Sequence, residues 1–215
     1  MRVQHFCYYL TDWPAERRQQ DYDSNKVVKC LKDETFKGYA NLTVGGSNIR
    51  VDNSNKAEFR RRLWEAVGKS MGAALKEQTA IVPVPNSLAI IGSPPNYRTL
   101  GYAQAIAAAS GGKVVAVDAL RWKKVEPAAH KQPGFRTPEP RYENMTVIEC
   151  PKLPVILFDD VITSGSTFIA SFWRLDEAGN APKEGFVAAR STKIQEPKMF
   201  VSEVRELEIP HRPFF

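Results

Sequence analysis

The sequence predicts an α/β fold: a central parallel sheet with helices on both faces, plus a small hood built from the N- and C-terminal segments. Three observations carry this expectation. Short apolar runs alternate with stretches of helical spacing between about residues 54 and 190. The run Val155-Ile156-Leu157-Phe158 is apolar without alternation, as a strand covered on both faces must be. It leads through two acids and a turn rich in small hydroxyl residues into FIASFWRLDEAG, whose apolar positions follow a helical period.

Each element follows in order. Phe6 to Leu10, Lys26 to Leu31 and Tyr39 to Val44 are short β-prone runs separated by polar segments and by Gly45-Gly46, so residues 1–53 read as a small antiparallel hood. Ser54 and Asn55 are candidate N-caps for a helix over Lys56 to Glu77, where Phe59, Leu63, Trp64, Val67, Met71 and Leu75 form an apolar stripe. A strand is expected over Ala80 to Val84, a loop over Pro85 to Asn96, a helix over Thr99 to Ala109 and a strand over Lys113 to Val117. The strand and helix around residues 155–177 and a last strand over Gly185 to Ala189 complete a core of residues 54–190. Residues 191–215 show no clear period and are expected to fold back onto the hood.

Composition excludes several classes. A chain of 215 residues, 43% hydrophobic and 25% charged, can bury one sizeable core and is not disordered. No apolar run approaches the roughly 18 residues of a spanning helix, so no membrane partner is expected. The opening MRVQHFCYYL lacks the features of a secretory signal, which makes the cytoplasm the expected location. Cys7, Cys30 and Cys150 are too few and too scattered for a disulfide framework or zinc ribbon.

The formal charge of +6 is unevenly placed. Between Arg121 and Tyr142, six cations (Arg121, Lys123, Lys124, Lys131, Arg136, Arg141) face Glu126 and Glu139, and Pro127, Pro133, Gly134, Pro138 and Pro140 break the stretch. It reads as a basic loop suited to closing over a polyanion, with nucleic acid as an open alternative. His130 lies inside it.

The chemistry concentrates at residues 159–167. Unpaired N–H groups at a helix start attract phosphate, Gly165 admits close approach, and Thr163, Ser164, Ser166 and Thr167 add hydroxyls. Carboxylates would weaken a plain phosphate cradle, so Asp159 and Asp160 are expected to face vicinal sugar hydroxyls or a Mg²⁺ held directly or through water. Together they describe a ribose 5-phosphate site.

This run resembles the 13-residue signature of the type I phosphoribosyltransferases: hydrophobic strand, acid pair, two residues, Thr, small residue, Gly, one residue, Thr. The resemblance implies that Asp159 and Asp160 hold the ribose 2- and 3-hydroxyls of phosphoribosyl pyrophosphate (PRPP), and that the loop Thr163 to Thr167 holds its 5-phosphate. A second, narrower likeness points to the ComF-like branch. It rests on Val82-Pro83-Val84-Pro85, on Arg98 with Gly101-Tyr102-Ala103-Gln104-Ala105, on Leu120-Arg121, and on Arg141-Tyr142-Glu143-Asn144. It departs at Ala103, where that branch has Asn, and in having no four-cysteine zinc element.

The resemblance implies a reaction: transfer of ribose 5-phosphate to a nitrogenous base with loss of pyrophosphate, assisted by Mg²⁺. Pro85, Asn86 and Ser87 match the family's pyrophosphate loop. Arg98 suits a pyrophosphate through its two-pronged guanidinium, with Arg121 and Lys123 as further candidates and Arg141 beside them. Thr163 stands where purine salvage enzymes for hypoxanthine and guanine carry an acid, so membership of that group is not expected. The expected partners are PRPP and a nucleobase or nucleotide, with a homodimer left open. Two alternatives stand beside the enzyme: a regulatory protein that senses PRPP or a nucleotide, and a ComF-like factor associated with DNA.

Overall fold

The computed structural model describes residues 1–12, 14, 16–125 and 137–212. The stretch Glu126 to Arg136, which holds His130, Lys131 and Arg136 of the expected basic loop, lies outside the described residues.

The core is a six-stranded sheet in the order β10-β1-β9-β8-β4-β5. Its strands are β1 (Arg2–Leu10), β4 (Thr79–Pro83), β5 (Val114–Ala116), β8 (Val155–Ile162), β9 (Glu184–Thr192) and β10 (Phe200–Glu206). β1, β9, β8, β4 and β5 are mutually parallel, and β10 joins the edge antiparallel to β1. The α/β expectation with a mostly parallel sheet therefore holds. Beside it lie the hairpin of β2 (Ala40–Val44) and β3 (Ser47–Val51), and a ribbon of β6 (Leu120–Trp122) and β7 (Met145–Val147).

Helices cover both faces. On one face, α1 (Gln19–Leu31), α2 (Lys56–Ala74) and α3 (Arg98–Ala109) pack Val27, Phe59, Leu63, Trp64 and Ile106 against Ile81, Ile156 and Phe158. On the other, α4 (Glu139–Asn144), α5 (Ser166–Glu177) and the ribbon pack Tyr142, Phe168, Trp173, Trp122 and Met145 against Val82, Val155 and Leu157. Adjacent residues of β8 thus enter different clusters, as the period of two in a strand requires. That double burial explains why the run was continuously apolar. Among the described residues, no helix is long and apolar enough to cross a membrane.

The N-terminal segment departs from expectation. Phe6 to Leu10 belongs to the central sheet, buried between β9 and β10, and is not part of a separate antiparallel hood. Lys26 to Leu31 is the end of α1, not a strand, because Ser24, Val27, Val28 and Leu31 form one buried helical face. Tyr39 to Val44 does contribute the hairpin strand β2, turning at Gly45-Gly46, both with positive φ. Residues 200–206 supply β10 in register with β1, for example Val3 opposite Arg205. The expected caps of α2 work indirectly: Asn55 makes no side-chain cap bond, and its Oδ1 accepts from Asp52 N–H at 2.9 Å.

α2 approaches the C-terminal end of α3 closely. Gly68 makes it possible: a Cβ there would meet the carbonyl oxygen of Ile106 and come within 2.8 Å of Ala109 Cβ. Backbone cannot yield as a flexible side chain can, so overpacking of about 1–3 kcal/mol is expected. Gly68→Ala should lower the unfolding free energy by that amount, read as a lower urea midpoint with little change in m, whereas Gly101→Ala, which meets nothing within 4 Å, should not.

Candidate functional site

A crevice forms where two chain paths diverge. β4 and β8 are neighbours with parallel register, Pro83 opposite Phe158. After β4 the chain crosses through α3 to β5 on one side, and after β8 it crosses through α5 to β9 on the other. α3 and α5 accordingly lie on opposite faces. The carboxyl ends of β4 and β8 at such a reversal are left uncovered by either helix, which is where open α/β sheets bind ligands. Both segments singled out from sequence, residues 85–87 and 159–167, lie at these ends.

The loop after β8 is built as its composition suggested. Gly165 is the N-cap of α5 at φ +77, a conformation that costs a side chain about 1–2 kcal/mol. A Cβ there would also meet Leu207 Cδ1 at 3.3 Å. Ser164 and Ser166 hydroxyls lie 2.9 Å apart, and Ile169 N–H donates to Gly165 O at 2.8 Å to start the helix. Asp159, Thr163, Ser164, Gly165, Ser166, Thr167 and Arg141 all line one small cleft. Arg141 Nη1 donates to Thr167 Oγ1.

The two acids have different environments. Asp160 is 4% exposed and accepts from Arg98 Nε at 2.9 Å and Nη2 at 2.8 Å, both at Oδ2. Asp159, half-buried, faces the loop cleft and accepts from Asp160 N–H at 2.8 Å. Burial, followed by the charge of Asp160, holds the Asp159 carboxyl well above the usual carboxylate range. A group tuned in this way within a cleft marks a candidate functional position.

The other predicted residues divide. Arg98, expected at pyrophosphate, is paired with Asp160, although a third of its side chain stays exposed at the crevice. Arg121 is buried, pairing with Asp118 (Nε to Oδ1, 3.0 Å) and donating to Ser93 O at 3.2 Å, so its guanidinium fastens the segment after β4. Tyr97 completes that knot by donating to Asp118 Oδ1 at 2.7 Å. Lys123 Nζ donates to Glu143 O at 2.8 Å. Pro85 is buried and Ser87 exposed; Asn86 O accepts from Trp122 Nε1 at 2.8 Å, while Asn86 Oδ1 accepts from Leu88 N–H at 3.0 Å.

Two contributors were not found from sequence. Leu207, in the segment after β10, sits against Gly165, and Trp173 Nε1 of α5 donates to Pro210 O at 3.0 Å, so the C-terminal segment braces the loop. Nothing periodic in residues 207–212 could have announced this. For Mg²⁺, the acid pair offers the hard oxygens the ion takes, but Arg98 already occupies Asp160 Oδ2. Asp159 and the second oxygen of Asp160 suit an ion that keeps its waters and takes its remaining ligands from a substrate. Among the described residues no group of three or more His, Cys, Asp or Glu forms a protein-only metal site.

No family model matches the chain, and no curated protein matches it. Solved structures that resemble it include phosphoribosyltransferases. An orotate phosphoribosyltransferase from Aeropyrum pernix is 17% identical over 78% of this chain and 83% of its own, at a TM-score of 0.37. An adenine phosphoribosyltransferase from Giardia lamblia, complexed with 9-deazaadenine, is 14% identical over 72% and 94%, at 0.38. At such TM-scores the likenesses carry no argument about chemistry, and the site's own geometry must.

The raised Asp159 carboxyl has a consequence for stability. The folded chain holds that proton more tightly than the unfolded chain, so this group's contribution falls as pH rises from the ordinary 3.8 through the raised value. Asp159→Asn should therefore raise the melting temperature at pH 7–8, with the gain shrinking as pH falls toward 4. A pH series of thermal unfolding on both proteins reads the difference.

Proposed function

We propose that the protein binds PRPP with Mg²⁺ and transfers its ribose 5-phosphate to a nitrogenous base, releasing pyrophosphate. The observation that supports this most is that one strand at the chain reversal brings the Asp159 carboxylate and a Gly165-capped helix start into one cleft, with Asp160 beside them on the same strand end. A sugar phosphate has the matching pair of functions, vicinal hydroxyls and a terminal anion.

In this reading Thr163 to Thr167 hold the 5-phosphate through N–H and hydroxyl donors, and Asp159 and Asp160 accept from the ribose hydroxyls. The bond from C1 to the pyrophosphate oxygen breaks, its electron pair leaves with pyrophosphate, and a base nitrogen bonds to C1, giving up its proton to water or to the departing pyrophosphate. Positive charge builds on the ribose as this happens. Carboxylates beside it lower the barrier electrostatically, and no covalent intermediate with the protein is needed. Mg²⁺ held by Asp159, Asp160 and the substrate would neutralise the departing pyrophosphate. Residues 85–87 at the end of β4 face that leaving group across the crevice, and Arg98 reaches it if the guanidinium turns from Asp160.

One observation favours a second reading, a non-catalytic sensor of PRPP or a nucleotide. Arg98 and Arg121, the best cations for a leaving group, are engaged by Asp160 and Asp118. A ComF-like role with DNA is supported by the sequence pattern alone.

PRPP with Mg²⁺ is expected to raise the melting temperature, and Asp159→Asn to remove most of that shift even though it stabilises the free protein. Each lost charge-assisted bond should cost about 1.5–3 kcal/mol of affinity. An equal shift in both proteins would discard the ribose assignment. Pyrophosphate release measured across a panel of nucleobases then separates enzyme from sensor: a PRPP-binding protein that releases none with any base is a sensor.

A further inference from the structure

Building on the reading of the loop as a sugar-phosphate cradle, we infer that Arg141 sets which anion that cradle accepts, selecting a dianionic phosphate monoester over a singly charged ester of the same shape. Arg141 comes from α4, outside the signature loop, yet lines the same cleft and donates to Thr167 Oγ1. Among the described residues lining that cleft it is the single cation. The loop itself supplies N–H and hydroxyl dipoles without a full charge, and Asp159 adds a carboxylate on the wrong side of the balance. A second negative charge on the ligand therefore depends on the guanidinium, whose fork matches two phosphate oxygens.

The mounting of Arg141 makes this more than a surface contact. α4 is short, but its buried Tyr142 clamps it to α5. Arg174 Nε and Nη2 donate to Tyr142 O at 2.9 and 2.8 Å, and Tyr142 hydroxyl donates to Glu177 Oε2 at 2.8 Å. The Arg174 guanidinium also lies 3.7 Å over the Tyr142 ring. Because the amino end of α5 forms the cradle, Arg141 is held in register with it by the same helix. The rival account makes Arg141 only a strut that fixes the Thr167 hydroxyl.

Calorimetric titration with ribose 5-phosphate and with ribose 5-sulfate, its singly charged analogue, distinguishes the two. The native protein should prefer the phosphate by roughly tenfold or more. Arg141→Gln should weaken ribose 5-phosphate by roughly 10–100-fold and bring the ratio of the two affinities close to one. Arg141→Lys should keep a preference for phosphate, since it keeps the charge while losing the fork; if the glutamine protein fails to fold, Arg141→Met removes the charge in its place. A preference unchanged in Arg141→Gln, or lost equally in Arg141→Lys, overturns the role of Arg141 and leaves the cradle standing. A native protein that binds neither ester removes the cradle reading itself, and this inference with it.

Discussion

The crevice between β4 and β8 exists because right-handed crossovers from two adjacent parallel strands run in opposite directions. α3 must then lie on one face and α5 on the other, and neither can close over the strand ends they leave. Every candidate residue depends on that divergence. Arg98 stands at the start of α3, Asp159 and Asp160 at the end of β8, and Gly165 at the start of α5. Two stretches of sequence 62 residues apart meet only because the chain turns both ways at this point. The apolar lower half of β8, packed on both faces, fixes the strand so that its polar end is presented at a constant height.

The acid pair shows how the fold carries a functional cost. Two carboxylates on adjacent residues, one almost fully buried, repel each other and lose hydration. The strand answers this unequally. Asp160 is neutralised by Arg98 on the α3 face, while Asp159 on the cleft side is relieved by a raised affinity for protons. A core strand designed for stability alone would end in neutral residues. On the proposed function, incoming sugar-hydroxyl donors or a hydrated cation would offset the retained strain.

How much of this was legible in the sequence follows from how local each signal is. The strand, loop and helix over residues 155–177 could be read because burial on both faces, a turn glycine and helical spacing all lie within about two dozen residues. Phe6 to Leu10 is a strand as expected, but its place in the central sheet is not legible because its partners are distant: β1 is flanked by β9 and β10, more than 170 residues away in sequence. Lys26 to Leu31 has β-prone composition, and tertiary packing of its helical face overrides that weak preference. The ribbon β6–β7 has three residues per strand, too few for any period to show.

The cations illustrate the same limit at the level of the site. Arg98, Arg121 and Arg141 look equivalent in sequence, each a basic residue near a motif. Their roles separate only through neighbours that sequence distance conceals. Arg121 finds Asp118 three residues away and is consumed in fastening the segment after β4. Arg98 finds Asp160, 62 residues on, and remains a third exposed, so it is poised at the crevice without being committed to a ligand. Arg141 is carried to the loop of residues 163–167 by a helix whose attachment runs through Tyr142, and through residues 174 and 177 of α5. Charge alone therefore marks a neighbourhood, and the hydrogen bonds that position each guanidinium decide whether it stabilises the fold, neutralises an acid, or faces what binds.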